Sequence, residues 1–189
     1  MNEISEIDFT DTLNQHVDTH LDIFNYYVEH STVTSRTEKL DKETFIKSLP
    51  IEGRKLKCLS VLNKESIIGF ISLKSFIDRD SYNKTAEVSI YLSHEFKGRG
   101  IGVVCLERIF AEASRYNIRT LIAQISGENK RSISLIEKYG FSLCGRINQS
   151  FEKFNRLHDD LIFQFMMKDL IQLQRHPAKA AVANSTFFV

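Results

Sequence analysis

The sequence lacks an excess of either charge, a long apolar run and a cysteine spacing typical of metal sites. Its 189 residues carry 25 Lys and Arg against 24 Asp and Glu, a net charge of +1. This balance argues against a nucleic-acid partner or an anionic membrane surface. No apolar run approaches the ~18 residues of a membrane span, and Met1 to Ile4 lack the basic residues of a signal peptide. We therefore expect a cytoplasmic protein without nucleic-acid or membrane partners.

The cysteines and a histidine pair are the candidate metal ligands, and neither set has a convincing pattern. Cys58, Cys105 and Cys144 are odd in number and lie in apolar, periodic segments, so we expect buried, reduced thiols. His16 and His20 are four residues apart, but the Glu that follows the first His of a metalloprotease helix is missing. We interpret the pair as part of the polar face of an amphipathic helix and predict no metal site.

The length of the chain suggests one domain, which at this size buries about 70% of its unfolded surface. We place the domain at residues 1–175 and regard 176–189, a small and polar segment ending in Phe188-Val189, as a C-terminal tail.

A glycine-rich turn joins a predicted strand at 85–92 to a predicted helix at 103–116. Its residues alternate glycine with two cations and one isoleucine: Lys97, Gly98, Arg99, Gly100, Ile101 and Gly102. Glycine permits positive φ and the close approach of a ligand, and free N–H groups at a helix N-terminus beside cations form an anion site. The segment therefore predicts a diphosphate site, although a turn that merely joins strand to helix is the plainer alternative.

The spacing of this turn excludes two common diphosphate motifs. A P-loop has Lys and then Ser or Thr after its last glycine, whereas Val103 and Val104 follow Gly102. A dinucleotide-binding fingerprint has its third glycine three residues after the second, where this chain has Val103.

Periodicity along the rest of the chain predicts a mixed sheet flanked by helices. A helical stripe runs from Leu13 to Val28 and Asp41 caps a short helix. The remaining elements are strands over 55–62, 67–76, 85–92, 119–125, 141–147 and 161–167, and helices over 103–116 and 130–139, the last capped by Asn129. A meander followed by β-α-β-α-β indicates an α/β or α+β mixed sheet.

Two motifs, in this order, resemble those of the GNAT superfamily of N-acetyltransferases. Residues 97–102 are similar to its Q/R-x-x-G-x-G/A signature, and Asn129, Ser132 and Gly140-Phe141 are similar to its N-x-x-S…G-F segment. Shorter segments resemble the phosphinothricin and methionine-sulfoximine acetyltransferase-like subgroup: Asn25 to Val28, Arg36 to Glu38, Thr85 to Glu87 and His158-Asp159. The resemblance covers about residues 21–170.

The resemblance implies a central, mostly antiparallel sheet that is splayed at one parallel pair of strands, with acetyl-CoA in the splay. It places the pantetheine arm along the backbone of Ile90, Tyr91 and Leu92, where an N–H near Leu92 can stabilise the thioester oxygen. The pyrophosphate is expected on residues 97–102, and Asn129 and Ser132 are expected to bind the cofactor arm.

Glu87 and His158 are the catalytic candidates that the resemblance implies. An amine arrives as ammonium and must lose a proton before it attacks, and Glu87, in an otherwise apolar strand, is the expected general base. The alternatives are an exposed or salt-bridged Glu and, for His158-Asp159, an ordinary loop pair. Many relatives have a Tyr general acid at the position of Ile136, so the acid stays open, with Tyr139 three residues further on.

The resemblance places the acceptor near Tyr27, Ser35, Phe76, Ile77 and Tyr82. Ile77 stands where the subgroup has an Arg that holds the acid group of the substrate, so we expect a small-molecule primary amine less acidic than phosphinothricin. We also expect a homodimer that shares the strand over 161–167 and the tail. The rival interpretations are a CoA-binding module without turnover and an acetyltransferase for protein N-termini or lysines.

Overall fold

Seven strands and four helices make up the part of the chain that the computed structural model describes, residues 6–50 and 56–170. In chain order they are β1 (Ile7–Asp11), α1 (Val17–His30), α2 (Lys42–Ser48), β2 (Lys57–Asn63), β3 (Ser66–Ser75), β4 (Thr85–Leu92), α3 (Ile101–Arg115), β5 (Thr120–Ser126), α4 (Lys130–Lys138), β6 (Ser142–Lys153) and β7 (Arg156–Met166). Short 3-10 turns lie at Asn14–His16, Asp80–Tyr82, His94–Phe96 and Met167–Asp169. The proposed domain limit at 175 and the tail 176–189 lie outside the described residues.

The strands form one mixed sheet in the order β1-β2-β3-β4-β5-β7-β6. Among the described strands, β4 and β5 are the one parallel pair, and the other neighbours are antiparallel. The expected mixed sheet with a central parallel pair is confirmed.

The parallel pair separates soon after it begins. β4 and β5 pair at three positions, ending with Glu87 opposite Ile122. β4 then continues to Leu92 and β5 to Ser126 without pairing with each other. Each strand keeps an antiparallel partner on its other side, β3 for β4 and β7 for β5. The sheet therefore opens into a fork between two strands that are each well supported.

The two faces of the sheet carry two separate cores. One core lies against α3 and α4 and includes Val88 and Leu106, and the other lies beneath α1 and α2 and includes Phe24 and Phe70. Side chains alternate along a strand, so β4 directs Val88 into the first core while Tyr91 packs against the second. By the same alternation Glu87 lies on the α1/α2 face.

Local capping explains where the shorter helices begin. The Asp41 carboxylate accepts a hydrogen bond from the Thr44 N–H at 2.8 Å, and the Asn129 side chain accepts one from the Ser132 N–H at 3.2 Å. Both caps satisfy N–H groups that have no partner inside the helix. The predicted caps are therefore confirmed, and most predicted element ends lie within two residues of the observed ones.

The last two strands are much longer than their sequence pattern predicts. β6 reaches Lys153 and β7 begins at Arg156, so residues expected to form a loop complete a long hairpin. Phe154 and Asn155 have φ of 53° and 55° at its turn. Hairpin turns with two positive φ values are usually signalled by Asn-Gly or Asp-Gly, and the absence of glycine here conceals the turn. His158 and Asp159 therefore lie within β7 rather than in a loop.

Two expectations about buried side chains are wrong. Cys58 and Cys105 are buried, and burial raises the pKa of each thiol, to about 11 and about 12, but Cys144 is exposed on the edge strand β6. His20 does not lie on a polar helix face, because its spacing of three from Val17 and four from Phe24 places it on the buried face of α1. It is fully buried and stacks on Phe70, with ring centroids 4.8 Å apart.

The described residues contain no helix long and apolar enough to span a bilayer. They also contain no group of three or more His, Cys, Asp and Glu side chains arranged to hold a metal. His16 lies instead with its Nδ1 2.9 Å from the Ser60 hydroxyl.

Burial of His20 makes the stability of the fold dependent on pH. Its ring nitrogens lack hydrogen-bond partners within residues 6–50 and 56–170. Burial, and then the charge of His16, lowers the pKa of His20 from 6.5 to about 4. The unfolded ring therefore binds a proton at a pH where the folded ring does not. The resulting stabilisation is complete above pH 6.5 and is lost as the pH falls towards 4.

We expect the free energy of unfolding to include a loss of about 2–3 kcal/mol from His20 between pH ~7 and ~4.5. Urea denaturation at a series of pH values measures it, with His20→Leu as the test variant, because leucine cannot titrate. The exposed His30 of the same helix provides the control, His30→Leu. A His20→Leu protein whose stability falls with acid as steeply as that of the wild type would contradict this account.

Candidate active site

The glycine-rich turn after β4 has the backbone that an anion site requires. Gly98 and Gly100 both have φ of 81°, a left-handed conformation that a residue with a Cβ adopts only with strain. Gly100 is the N-cap of α3, which begins at Ile101, so the first N–H groups of this helix lie directly behind the turn. Gly102 is covered closely by α4, since a Cβ added there would lie 3.1 Å from Leu135 Cδ2.

The N-terminus of α4 meets the same turn and brings a cation that the sequence analysis missed. A Cβ built on Gly98 would lie 3.7–3.9 Å from the guanidinium atoms of Arg131. Asn129 and Ser132 lie in the same first turn of α4. The two motifs are therefore neighbours in space. The signal that could have found Arg131 is the pair Lys130 and Arg131 in a first turn without acids. Cations are unfavourable at the positive end of a helix, so such a pair is unusual there.

Lys97 is held by aromatic rings from α1. Its Nζ lies 4.8 Å from the ring centroid of Tyr27 and 5.8 Å from that of Tyr26, distances typical of cation–π contacts. Burial, and then the charge of Arg131, lowers the pKa of Lys97. Tyr26 also stacks on His94, with ring centroids 4.2 Å apart. The end of α1 is thereby joined to the segment that leads from β4 into the turn.

The fork leaves one edge of β4 available beside Ile90, Tyr91 and Leu92, the residues expected to contact the cofactor arm. These residues pair with β3 on one side, and on the other side β5 has already diverged. The buried Tyr27 hydroxyl donates a hydrogen bond to the Leu92 carbonyl at 2.6 Å. Burial, and then Tyr26, raises the pKa of Tyr27 to about 12. Tyr27 therefore forms one wall of the opening between β4 and β5, which we call the cleft.

Glu87 lies at the last paired position of the fork and contacts a cation. Its Oε1 is 3.2 Å from Lys74 Nζ, and Lys74 stands directly opposite it on β3. The Glu87 side chain is 23% exposed, which leaves it accessible from the α1/α2 face. The salt-bridged alternative is thus correct as a description of this structure, and it is compatible with a position beside a cleft.

Besides burial, the charge on Glu87 raises the pKa of Tyr91, four residues further along β4. Burial is the main cause that raises the pKa of Tyr91 to about 12, with Glu87 adding to it and Arg36 opposing it. Arg36, in the segment between α1 and α2, therefore lies near enough to contribute positive potential to this face. Ser35 beside it is exposed.

Three of the expected acceptor residues lie in the connection between β3 and β4. Phe76 and Tyr82 are both partly exposed, with ring centroids 6.4 Å apart, and the Phe76 N–H donates to the Thr85 carbonyl. Ile77 follows in the same connection. Phe76, Ile77 and Tyr82 therefore belong to the connection that leads into β4, and β4 begins at Thr85, two residues before Glu87.

His158 occupies an enclosed position. It is 3% exposed and stacks on Phe151, with ring centroids 5.1 Å apart. Its Nε2 lies 2.9 Å from the Lys153 carbonyl oxygen and its Nδ1 lies 3.2 Å from a Glu128 carboxylate oxygen. Nε2 alone is hydrogen-bonded, since Nδ1 lies near Glu128 without a hydrogen-bond partner among the described residues. Glu128 immediately precedes Asn129. This geometry links the β6–β7 hairpin to the start of α4.

The position of the missing general acid is apolar, and the neighbouring tyrosine is engaged elsewhere. Ile136 is buried in the core against α3. The Tyr139 hydroxyl donates to a Glu107 carboxylate oxygen at 3.3 Å, and burial, followed by Glu107, raises the pKa of Tyr139. Tyr139 is therefore held against α3.

Known proteins share the sequence and fold of this chain. The model of the acetyltransferase (GNAT) domain family matches residues 1–162. The chain is 37% identical over 125 residues to YwnH of Bacillus subtilis, covering 65% of this chain and 76% of that protein. It is 28% identical over 163 residues to the L-methionine sulfoximine/L-methionine sulfone acetyltransferase of Salmonella typhimurium, covering 85% of this chain and 91% of that protein.

A solved structure of a GNAT superfamily phosphinothricin acetyltransferase from Sinorhizobium meliloti, in complex with acetyl-CoA, superposes with a TM-score of 0.80 at 25% identity. The match covers 85% of this chain and 88% of that one. Because the family model spans most of the sequence and the relatives align over most of their own length, the chain belongs to the GNAT family and is an N-acetyltransferase.

Proposed function

We propose that this enzyme transfers the acetyl group of acetyl-CoA to the primary amine of a small, amino-acid-like molecule, in the cytoplasm. The observation that carries the proposal is the position of Glu87, accessible at the point where β4 and β5 part. The named activities of relatives support the choice of a small amine, since the Salmonella typhimurium protein is an L-methionine sulfoximine/L-methionine sulfone acetyltransferase. The free cysteines suit a reducing compartment.

The residues of the cleft fit acetyl-CoA, which when bound supplies an activated acetyl group as a thioester. Arg131 and two helix N-termini lie beside Gly98, and Lys97 and Arg99 flank it in the chain, a combination that suits a diphosphate. The free edge at Ile90 to Leu92 offers backbone groups to an amide-containing arm. Asn129 and Ser132 are the side chains we assign to the same arm.

Glu87 is the residue we assign to proton removal. A substrate ammonium beside its carboxylate can lose a proton to it, which leaves a neutral amine as nucleophile. The partial exposure of Glu87 allows such an approach from the α1/α2 face. Phe76, Ile77 and Tyr82 lie in the connection that leads into the same strand. In place of the catalytic role expected for His158, we assign this side chain, enclosed between Lys153 and Glu128, to holding the start of α4 in place.

An acceptor screen tests the proposed function and separates it from its rivals. Release of CoA is measured from acetyl-CoA in the presence of amino acids, other small amines and peptides. Turnover with small amines supports the proposal. Release with peptides alone would indicate a protein acetyltransferase, and tight acetyl-CoA binding without release in any mixture would indicate a non-catalytic module.

Replacing the proposed base should separate chemistry from cofactor binding. We expect Glu87→Gln to lower kcat by about 10²–10⁴ with acetyl-CoA affinity nearly unchanged, because the amide keeps the shape of the carboxylate but takes no proton. Steady-state kinetics and calorimetry measure the two effects, with Glu43→Gln on α2 as control. Turnover of Glu87→Gln at the wild-type rate would show that Glu87 forms only a structural ion pair.

Replacing Arg131 tests the anion site. We expect Arg131→Gln to weaken acetyl-CoA binding about ten- to a hundredfold, because a charge-assisted contact to a phosphate is lost. The difference in affinity between wild type and variant should shrink in high salt, because salt screens the attraction between Arg131 and the phosphate in the wild type. Lys130→Gln, one residue earlier in α4, is the matched control. Equal affinities for the two variants would remove Arg131 from the site.

We also propose that the enzyme is a homodimer, but through a different surface from the one expected. β7 lies between β5 and β6, and its Phe163 and Phe165 are buried in the core, so this strand is not free to be shared. The exposed apolar side chains instead concentrate on the β6–β7 hairpin: Leu143, Ile147, Phe154 and Leu157. An edge strand with such side chains readily pairs with another chain.

Light scattering at micromolar concentration should give about twice the chain mass of 21.8 kDa. We expect the double variant Ile147→Lys, Leu157→Lys to shift the mass towards that of one chain, because it places charges on the apolar hairpin. The control is Leu13→Lys, a change to a comparably exposed leucine away from the hairpin. A wild-type mass near 22 kDa would exclude the dimer.

A further inference from the structure

Lys74 is a charged residue of the cleft that the motifs do not mark. The β3–β4 register places it directly across from Glu87, with the two side chains on the α1/α2 face of the sheet. Lys74 Nζ lies 3.2 Å from Glu87 Oε1, and the Lys74 side chain is 41% exposed. The cation thus lies beside the proposed base, at the point where β4 and β5 part.

Stability does not explain this ion pair well. Partly exposed pairs contribute little to folding, because water screens the attraction and two long side chains lose freedom. The pair also occupies the carboxylate that an incoming ammonium must approach. A contact that is weak and blocks the base is one that a suitable ligand can displace.

A zwitterionic head group has the complementary charges. Its ammonium is attracted by Glu87 and its acid group by Lys74, so a ligand carrying both exchanges one ion pair for two. An amine without an acid group makes no ion pair with Lys74, so Lys74 stays paired with Glu87.

We propose that Lys74 is a positioning and specificity-determining residue: it holds Glu87 in an ion pair until the acid group of an acceptor draws it away and frees the carboxylate. This inference rests on the proposed acetyl transfer with Glu87 as base. It also changes the expectation drawn from Ile77. The cation that Ile77 does not provide is supplied three residues earlier by Lys74, so acid-bearing amines are the preferred acceptors.

The test compares an acid with its amide in matched variants. L-methionine sulfone and its carboxamide share the amine and differ in the group that Lys74 would bind. Lys74→Met removes the charge and keeps most of the side-chain length, and Lys74→Arg restores a charge. The control is Lys57→Met, since Lys57 is ion-paired with Asp11 at 2.6 Å but lies opposite Leu73, on the other face of the sheet.

Lys74→Met should weaken activity on the acid and improve turnover of the carboxamide. In Lys74→Met, KM for the acid should rise about ten- to a hundredfold, because a charge-assisted contact is lost. The kcat for the carboxamide should rise, because Glu87 is no longer held. Lys74→Arg should restore preference for the acid, and Lys57→Met should behave as wild type. A role confined to the fold would lower both activities together.

Calorimetry on the enzyme with CoA bound makes the result independent of turnover. If the acid binds more tightly than the carboxamide and Lys74→Met abolishes the difference, the role of Lys74 stands even where no acetyl transfer is detected, and the proposed function alone fails. Equal binding of the two probes to the wild type, failure of the acid to bind, or an unchanged preference in Lys74→Met would overturn the inference.

Discussion

The separation of β4 from β5 after Glu87 and Ile122 is the constraint on which the rest of the structure depends. Backbone groups removed from a sheet ladder must find other partners. β4 keeps seven paired positions with β3, and β5 keeps seven with β7, so the opening exposes one edge of each strand and unfolds neither. The Tyr27 hydroxyl satisfies the Leu92 carbonyl at one wall. The fork is therefore a stable gap.

Charge is distributed unevenly along this gap. At the far end of β4 the turn brings together cations and two helix N-termini, whose dipoles add to the positive potential. At the fork itself Glu87 and Lys74 face each other and nearly cancel. A ligand with several negative charges at one end and an uncharged reactive group at the other matches this arrangement, and a small zwitterion matches the paired charges at the fork.

A row of rings ties the cleft to the core. His20 stacks on Phe70, Phe70 stacks on Tyr91 with centroids 5.1 Å apart, and Tyr91 lies 5.9 Å from Tyr27. α1 contributes both ends of this row, so its packing positions the cleft wall as well as filling the core. Interiors are close-packed and transmit displacement. Changes beneath α1 therefore reach the backbone beside which the cofactor arm is assigned.

The sequence by itself determined the features that depend on neighbours along the chain. The alternation of β4, the glycines at 98, 100 and 102 and the caps at Asp41 and Asn129 each report a local conformation, and these were sufficient for the fold and the family. The sequence did not predict the long β6–β7 hairpin, because its turn has positive φ at Phe154 and Asn155 without glycine. Nothing local distinguishes that turn from a loop.

Only the tertiary structure decided which distant residues meet. Lys74 reaches Glu87 through the β3–β4 register, Arg131 reaches Gly98 because α4 packs on α3, and His20 is buried because β3 supplies Phe70 beneath it. A one-residue change of register would move Lys74 to the opposite face. Contacts of this kind depend on how elements pack against one another, which local periodicity does not encode.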